Sequence, residues 1–366
     1  MISKFRFAVV SDLHLALPQT ILNLSKRFHL VELSIPAFEI VIENLIKLNL
    51  DLLLLPGDLT KHGEPENHNW LRKRLAQLPF PVYVIPGNHD VPVVNADQQS
   101  IGFADFPYYY SQFGYQNQGQ MYYTCQVLPG VRLVGLNSNC FNDEGEQIGR
   151  LDDVQIRWLE NVLVAARDEL VLVMVHHNVV EHLPHQSHHP MGHRYILENA
   201  PELLQLLRRY GVRLVFTGHL HIQDVAYADG VYDITTGSLV TYPHSYRVME
   251  FHQDKHGREW LQVLSYRLES VPGIPDLQKS SRQWMGDHSF SLMMKMLTQA
   301  PLNLSLSEAT EIAPDLCDFW ATIAGGDAMF NYPHLPSTVR HYLEVHSAIN
   351  SSGQPALIDN NSTLLL

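Results

Sequence analysis

Five short segments of this sequence place metal-binding side chains in tight clusters. They read Asp12-Leu13-His14, Gly57-Asp58-Leu59-Thr60, Gly87-Asn88-His89-Asp90, His176-His177 and Gly218-His219-Leu220-His221. Asp12 and His14 stand two apart, as do His219 and His221, so an extended chain would turn each pair to one face. Carboxylate, imidazole and amide oxygen together suit borderline divalent metals such as Mn, Fe, Zn or Co. One metal needs three or four protein ligands, and here seven candidates converge. That is enough for two metals sharing a carboxylate, the clamp that holds the attacking and leaving oxygens of an in-line phosphoester displacement. Histidine is abundant overall, 21 in 366 residues, with seven between His176 and His193.

Each segment follows a short apolar run. Phe5–Val10, Asp51–Leu55, Val82–Ile85, Leu170–Val175 and Arg213–Phe216 are four to six residues of the Val, Ile and Leu type that builds buried strands. Helical patterns at 31–48, 151–166 and 197–210 alternate with some of them, and Asp152 with Gln155 three residues on forms the N-terminal signal of the second. Alternation of this kind indicates an α/β fold, whose ligands bind outside the carboxyl ends of the strands. The later runs read as meandering strands, with 122–127 and 131–136 flanking Pro129-Gly130 as a hairpin. A mixed sheet or two-sheet sandwich therefore fits better than one doubly wound sheet.

The five segments, in this order over residues 12–221, resemble the calcineurin-like metallophosphoesterase superfamily, and within it the bacterial class III cyclic-nucleotide phosphodiesterases. Leu136-Asn137-Ser138 and Gly149-Arg150-Leu151 add to the likeness. The resemblance implies a four-layer α/β/β/α sandwich with two metal ions per chain, Mn or Fe foremost. It assigns Asp12, His14, Asp58 and His221 to one metal and Asp58, Asn88, His176 and His219 to the other, with Asp58 bridging. Either histidine of the 176–177 pair could be the ligand; strand register and resemblance favour His176. A hydroxide held between the metals would be the nucleophile, His89 would stabilise charge and protonate the leaving oxygen, and Asp90 would orient His89 or a ligand histidine. Many relatives have proline where this chain has Asn178. Lys61 replaces the tyrosine of the purple acid phosphatase branch, so an iron–tyrosinate site is not implied.

His182 and Asn137 are expected substrate contacts. The loop carrying His182, His185, His188, His189 and His193, with Pro184 and Pro190, reads equally as a pocket wall or a solvated loop. Tyr108-Tyr109-Tyr110 could stack a base but more commonly such a run packs a loop, and Met285, Met293, Met294 and Met296 read as helix packing or an interface. The expected substrate is a small phosphodiester, 3′,5′-cyclic AMP first. A phosphomonoester, a glycerophosphodiester and a nucleotide pyrophosphate are the alternatives on the same site, and a catalytically silent scaffold is the rival class.

A net charge of −13 argues against a nucleic-acid polymer or an anionic membrane as partner. Three widely spaced cysteines form neither a disulfide framework nor a metal site, and no run approaches a membrane helix, so a cytoplasmic setting is expected. The punctuation Val271-Pro272-Gly273-Ile274-Pro275 divides the chain. Residues 1–270 are expected to form the catalytic domain. Residues 271–366 should form a helical extension with patterns at 290–297, 307–323 and 337–349, serving as a lid or building a homodimer, with the tail frayed from about 351.

Overall fold

The computed structural model describes residues 3–21, 28–116, 119–189, 192–350 and 352–366. Fourteen strands are present among them: β1 (Lys4–Val9), β2 (Leu52–Leu55), β3 (Val82–Val84), β4 (Tyr123–Leu128), β5 (Val131–Gly135), β6 (Asn139–Phe141), β7 (Gln147–Gly149), β8 (Leu170–Met174), β9 (Leu214–Thr217), β10 (Asp224–Ala228), β11 (Val231–Thr235), β12 (Ser245–Gln253), β13 (Glu259–Arg267) and β14 (Asn361–Leu365). They build two six-stranded mixed sheets, ordered β14-β13-β12-β1-β2-β3 and β10-β11-β9-β8-β5-β4, and β6 pairs with β7. The strands ending in ligand segments run parallel within each sheet, β1 to β2 to β3 and β8 to β9. All five segments therefore emerge at carboxyl ends.

The sheets face each other across a core in which Phe7 meets Phe216 edge-on, ring centroids 5.4 Å apart. Helices α1 (Ser34–Ile46), α2 (Pro65–Leu75) and α3 (Phe106–Tyr109) come before the hairpin; Phe38, Val41 and Leu71 from the first two join that core. Helices α4 (Asp153–Ala165) and α5 (Ala200–Arg209) cover the second sheet, where Leu159, Leu163, Leu203 and Leu207 meet Val173 and Val215. Helix, sheet, sheet and helix thus follow in succession, as expected. The cap of α4 forms as read: Asp152 accepts from the Gln155 N–H at 2.7 Å.

Beyond residue 270 the structure departs from the sequence reading. One 22-residue helix, α6 (Leu277–Thr298), replaces the short pattern at 290–297. Its buried stripe is Leu277, Ser281, Met285, Ser289, Met293 and Leu297, a strict spacing of four. Two serines dilute the apolar signal there, each satisfied locally, Ser281 by the Leu277 carbonyl and Ser289 by that of Gly286. The pattern at 307–323 is two helices, α7 (Leu306–Ile312) and α8 (Phe319–Ala324), joined by a 3-10 turn; the last is α9 (Ser337–Glu344). The tail does not fray. Strand β14 pairs antiparallel with β13, Leu261 opposite Leu364, and completes the edge of the first sheet. Leu364 is buried while Thr363 and Leu365 on either side are exposed, which is too short an alternation to read as a strand before its partner is known.

The helical extension packs through a third core of its own. That core takes in Leu220 and Ile222, which bracket the ligand candidate His221, together with Met285, Met293, Phe319 and Val339. The Gln223 N–H also donates to the Ala324 carbonyl at 3.1 Å. Among the described residues no helix is long and apolar enough to cross a membrane.

Candidate metal centre

Asp12, His14, Asp58, His219 and His221 all adopt left-handed backbone, with φ of 51°, 40°, 49°, 65° and 59°. Such conformations cost on the order of 1–3 kcal/mol each and persist where the surroundings over-determine them. Aspartate and histidine tolerate them better than most residues. The i, i+2 pairs therefore reach the site through sharp turns rather than through the extended chain expected. The turns brace one another: the His14 N–H donates to the Asp58 carbonyl at 2.9 Å, and the Gly218 N–H to the His176 carbonyl at 3.1 Å. Two glycines are required by close approach. A Cβ on Gly87 would lie 2.2 Å from the Asp58 amide nitrogen and Oδ1, and one on Gly218 would lie 2.4 Å from Asp12 Oδ2.

The expected side chains converge in two groups, Asp12, His14, Asp58 and His221 in one and Asp58, His176 and His219 in the other, and a third group joins His14 and His221 to His29, the potential ligand atoms of each within 4.8 Å of one another. Asp58 belongs to both, its Oδ2 3.6 Å from His14 Nε2 and 3.4 Å from His176 Nε2. In the first group the Nε2 atoms of His14 and His221 face each other at 3.2 Å, and His221 Nε2 lies 3.1 Å from Asp12 Oδ1. In the second, Asn88 Oδ1 lies 3.2 Å from His176 Nε2. Backbone carbonyls set two tautomers. Pro56 O meets His176 Nδ1 at 2.9 Å, which requires a proton on Nδ1 and turns the Nε2 lone pair inward. Arg194 O meets His219 Nε2 at 3.2 Å, which leaves Nδ1 of that ring as the ligand atom.

The electrostatics fit bound cations. Burial, helped by nearby His29, holds His14 well below the usual histidine range, and burial with His177 does the same for His219. Neutral imidazole is the ligating form. Burial opposes the charge on Asp58, yet His176, His89 and His14 hold its carboxyl well below the usual range. Burial would lower His176, but the Asp58 charge overrides it and raises the ring to about 9; a cation between them would displace that proton. Six buried or half-buried nitrogen and oxygen donors surround the shared carboxylate, and buried charge in such a setting is either paired or coordinates a metal.

His89 stands beside this centre, its ring 4.7 Å from that of His14. Its N–H donates to Asp58 Oδ1 at 2.8 Å, and its Nδ1 meets the Lys61 carbonyl at 2.8 Å. Nδ1 therefore carries the proton and Nε2 the lone pair. Asp90 was expected to orient His89 or a ligand histidine, but its carboxylate bonds neither. Its carboxylate accepts from the N–H groups of Leu59, Thr60 and Gly87 and from the Thr60 hydroxyl, at 2.8–3.0 Å, so it fastens the Asp58 turn to the Asn88 turn. Burial and the Asp58 charge push Asp90 up to about 7.

The two expected substrate contacts are not at the centre. His182 is buried with Nδ1 2.5 Å from Asp224 Oδ2 and Nε2 3.4 Å from Asp233 Oδ2, a structural ion pair behind the loop. It was expected at the pocket for its nearness in sequence to His176, but the chain turns it inward to two carboxylates. Asn137 accepts from the N–H and side-chain amide of Asn139 and donates its own N–H to Gln155, bracing the turn after β5. Of the histidine-rich loop, His177 and His189 face the cleft, His177 also meeting the Ser138 hydroxyl at 2.8 Å; Pro190 lies outside the described residues. Tyr110 is buried with its hydroxyl 2.8 Å from His68 Nδ1, and Tyr108 is exposed, so that run packs a loop. The sequence reading missed His29, whose ring lies 4.4 Å from that of His14 and 4.8 Å from that of His221. Only its residue type signalled it. The carbonyls of Pro56, Lys61 and Arg194 had no signal at all, since any residue carries one.

A model of the calcineurin-like phosphoesterase family matches residues 5–223. The chain belongs to that family, and the match stops short of α6–α9. It is 30% identical over 217 residues to a probable cyclic nucleotide phosphodiesterase of Synechococcus sp., covering 58% of this chain and 72% of that one. It is 28% identical over 183 residues to a probable glycerophosphodiester phosphodiesterase of Arcobacter nitrofigilis, covering 49% of this chain and 59% of that one. A 3′,5′-cyclic-nucleotide phosphodiesterase of Nostoc sp. is 26% identical over 177 residues, 48% of this chain and 58% of that one. The chain thus spans between 58% and 72% of those relatives' lengths. In fold it is similar to a dimetal phosphatase from Danio rerio, with a TM-score of 0.52 at 15% identity over 72% of this chain and 98% of that one.

Proposed function

We propose that the protein is a metal-dependent phosphodiesterase acting on a small phosphodiester. The observation that carries this reading is the Asp58 carboxylate shared between two ligand groups with the His89 ring beside it. Asp12, His14 and His221 would hold one divalent cation, Asn88, His176 and His219 a second, and Asp58 both. When bound, the pair supplies Lewis-acid stabilisation of the phosphoryl oxygens and lowers the pKa of water. The mixed nitrogen and oxygen donors suit Mn or Fe, with Zn or Co as alternatives.

The chain's own residues supply the rest. His89 Nε2, positioned by the hold of Lys61 on Nδ1, donates a proton to the departing oxygen when the ring is doubly protonated, and otherwise accepts one. Asp90 keeps the Asp58 and Asn88 turns in register. Arg194 at the cleft adds positive charge facing an anionic substrate. Relatives named for cyclic nucleotides and for glycerophosphodiesters both support a diester, and cyclic AMP is one arm of the test. The three cysteines, all free thiols, support a reducing, cytoplasmic setting.

The test loads purified protein with Mn²⁺, counts bound metal and measures turnover of bis(4-nitrophenyl) phosphate, 4-nitrophenyl phosphate, cyclic AMP and glycerophosphocholine. Two metals per chain with diester turnover above monoester turnover is the expected result. Good monoester turnover with no diester turnover would replace the reading by a phosphomonoesterase, and metal binding without turnover by a silent scaffold.

A further inference from the structure

One imidazole at the metal centre comes from outside the five ligand segments. The His29 ring centroid lies 4.4 Å from that of His14 and 4.8 Å from that of His221. The ligand candidates themselves are spaced alike, 5.1 Å between His14 and His221 and 4.8 Å between His176 and His219. One nitrogen from each of His14, His29 and His221 belongs to a set lying within 4.8 Å. His29 is half-buried and lines the cleft together with Asp58, His89 and His221.

The backbone holds His29 on the same support as Asp12. The Leu30 N–H donates to the Val240 carbonyl at 2.8 Å, and the Leu239 N–H donates to the Asp12 carbonyl at 3.3 Å. The Ser238 hydroxyl donates to that Asp12 carbonyl at 2.8 Å. Residues 238–240 thus fasten both turns through separate bonds. The neighbours of His29 are anchored in opposite directions, Leu30 against the core between the sheets and Phe28 against the core of the helical extension. A ligand must be held near its productive geometry by surroundings that fix it, and His29 meets that requirement from both sides.

The group of His14, His29 and His221 shares two rings with the group of Asp12, His14, Asp58 and His221. A neutral imidazole has one nitrogen lone pair to give. Two groups with His14 and His221 in common therefore converge on one cation. With His29 included, that cation would meet three imidazoles and two carboxylates. The other position offers two imidazoles, the Asn88 amide oxygen and the shared carboxylate. Imidazole suits Zn and Fe, whereas carboxylate and carbonyl oxygens suit Mn.

We propose that His29 is a further ligand of the cation held by Asp12, His14, Asp58 and His221, and that it shifts the preference of that position from Mn²⁺ toward Zn²⁺ or Fe²⁺. This rests on the metal-centre reading above and adds to it a ligand that none of the five segments supplies.

The experiment has two arms, neither of which reads activity. In the first, the full chain is crystallised with Zn²⁺ and the ions are located by anomalous scattering. A His29 nitrogen should lie about 2.0–2.1 Å from the ion that Asp12, His14 and His221 also hold. An ion held there without His29 among its ligands overturns the proposal. No ion at either position overturns the metal-centre reading itself, and the proposal with it. In the second arm, Zn²⁺ and Mn²⁺ affinities are measured by competition with a chelating dye. His29→Ala should weaken Zn²⁺ binding at one of the two positions by at least about 10–100-fold, the loss that removing even an outer partner of a ligand produces. The loss for Mn²⁺ should be smaller. His29→Asp, which returns an oxygen donor, should restore Mn²⁺ binding more than Zn²⁺ binding. Unchanged affinities in His29→Ala, or equal losses at both positions and for both metals, overturn the proposal.

Discussion

At the scale of single residues, the site separates His89, whose ring faces the cleft, from groups that hold others in place. His89 stands beside the metal centre with Nδ1 committed to the Lys61 carbonyl, so His89→Ala should lower kcat by about 10²–10⁴ while bound metal, counted by mass spectrometry, stays at the wild-type level. Asp90 is fully buried and does not line the cleft. Asp90→Asn keeps its shape but gives up acceptor capacity for the four donors around it, and should weaken metal affinity by about 10–100-fold. Excess Mn²⁺ should then restore turnover, which it could not do for a lost catalytic group. His182 is structural. Burial opposes its charge, but Asp233 and Asp224 raise it to about 10, above an unfolded value near 6.5. The ion pair therefore contributes its full stability below about pH 6.5 and loses it as pH rises through about 10. His182→Gln should cost about 3–5 kcal/mol at pH 6 by urea denaturation, and the gap from wild type should narrow toward pH 10. A gap constant across that range would refute the ion-pair account.

At the scale of elements, the ligand turns are clamped between sheet ends on one side and the helical extension on the other. Leu220 and Ile222 are buried by α6–α9, and Gln223 is bonded to the end of α8. The turn after α8 depends on Gly326, whose φ is +70° and where a Cβ would lie 2.4 Å from the Gln223 carbonyl oxygen. Gly326→Ala should destabilise the fold by about 1–2 kcal/mol for the left-handed backbone alone. Because Gln223 follows His221 by two residues, the same variant should also lower metal occupancy at equal free Mn²⁺. Metal retention unchanged in a destabilised variant would show that the extension does not set the ligand turn. The strands and their capped helix α4 were legible from apolar runs and turn residues. Helix α6 was not, because Ser281 and Ser289 occupy its buried stripe, and β14 was not, because its partner strand lies about a hundred residues earlier.

At the scale of the whole molecule, two mixed sheets present five turns to one pole, and the extension roofs that pole. Metal bound there adds stability only to the folded state, since the ligands come together from residues 12 to 221. Saturating Mn²⁺ should stabilise the chelator-treated protein by about 2.7 kcal/mol at a hundredfold excess over Kd, read as a rise in the midpoint of thermal unfolding. An unchanged midpoint would mean that the turns do not hold metal.

The sequence by itself determined the candidate ligand residues and their order along the chain, the family, and the parallel strands that carry each segment. Those features are local: a residue type, a spacing of two, an apolar run ending in a glycine turn. Only the tertiary structure decided what those residues touch. It turned Asp90 toward backbone N–H groups and away from His89, drew His182 inward between two carboxylates, brought His29 beside His14, and packed the helical extension against Leu220 and Ile222, which flank the ligand candidate His221. The reason is physical. A side chain's partners are fixed by packing between segments far apart in the chain, and carbonyl groups, shape and buried volume leave no mark on the residue types that create them.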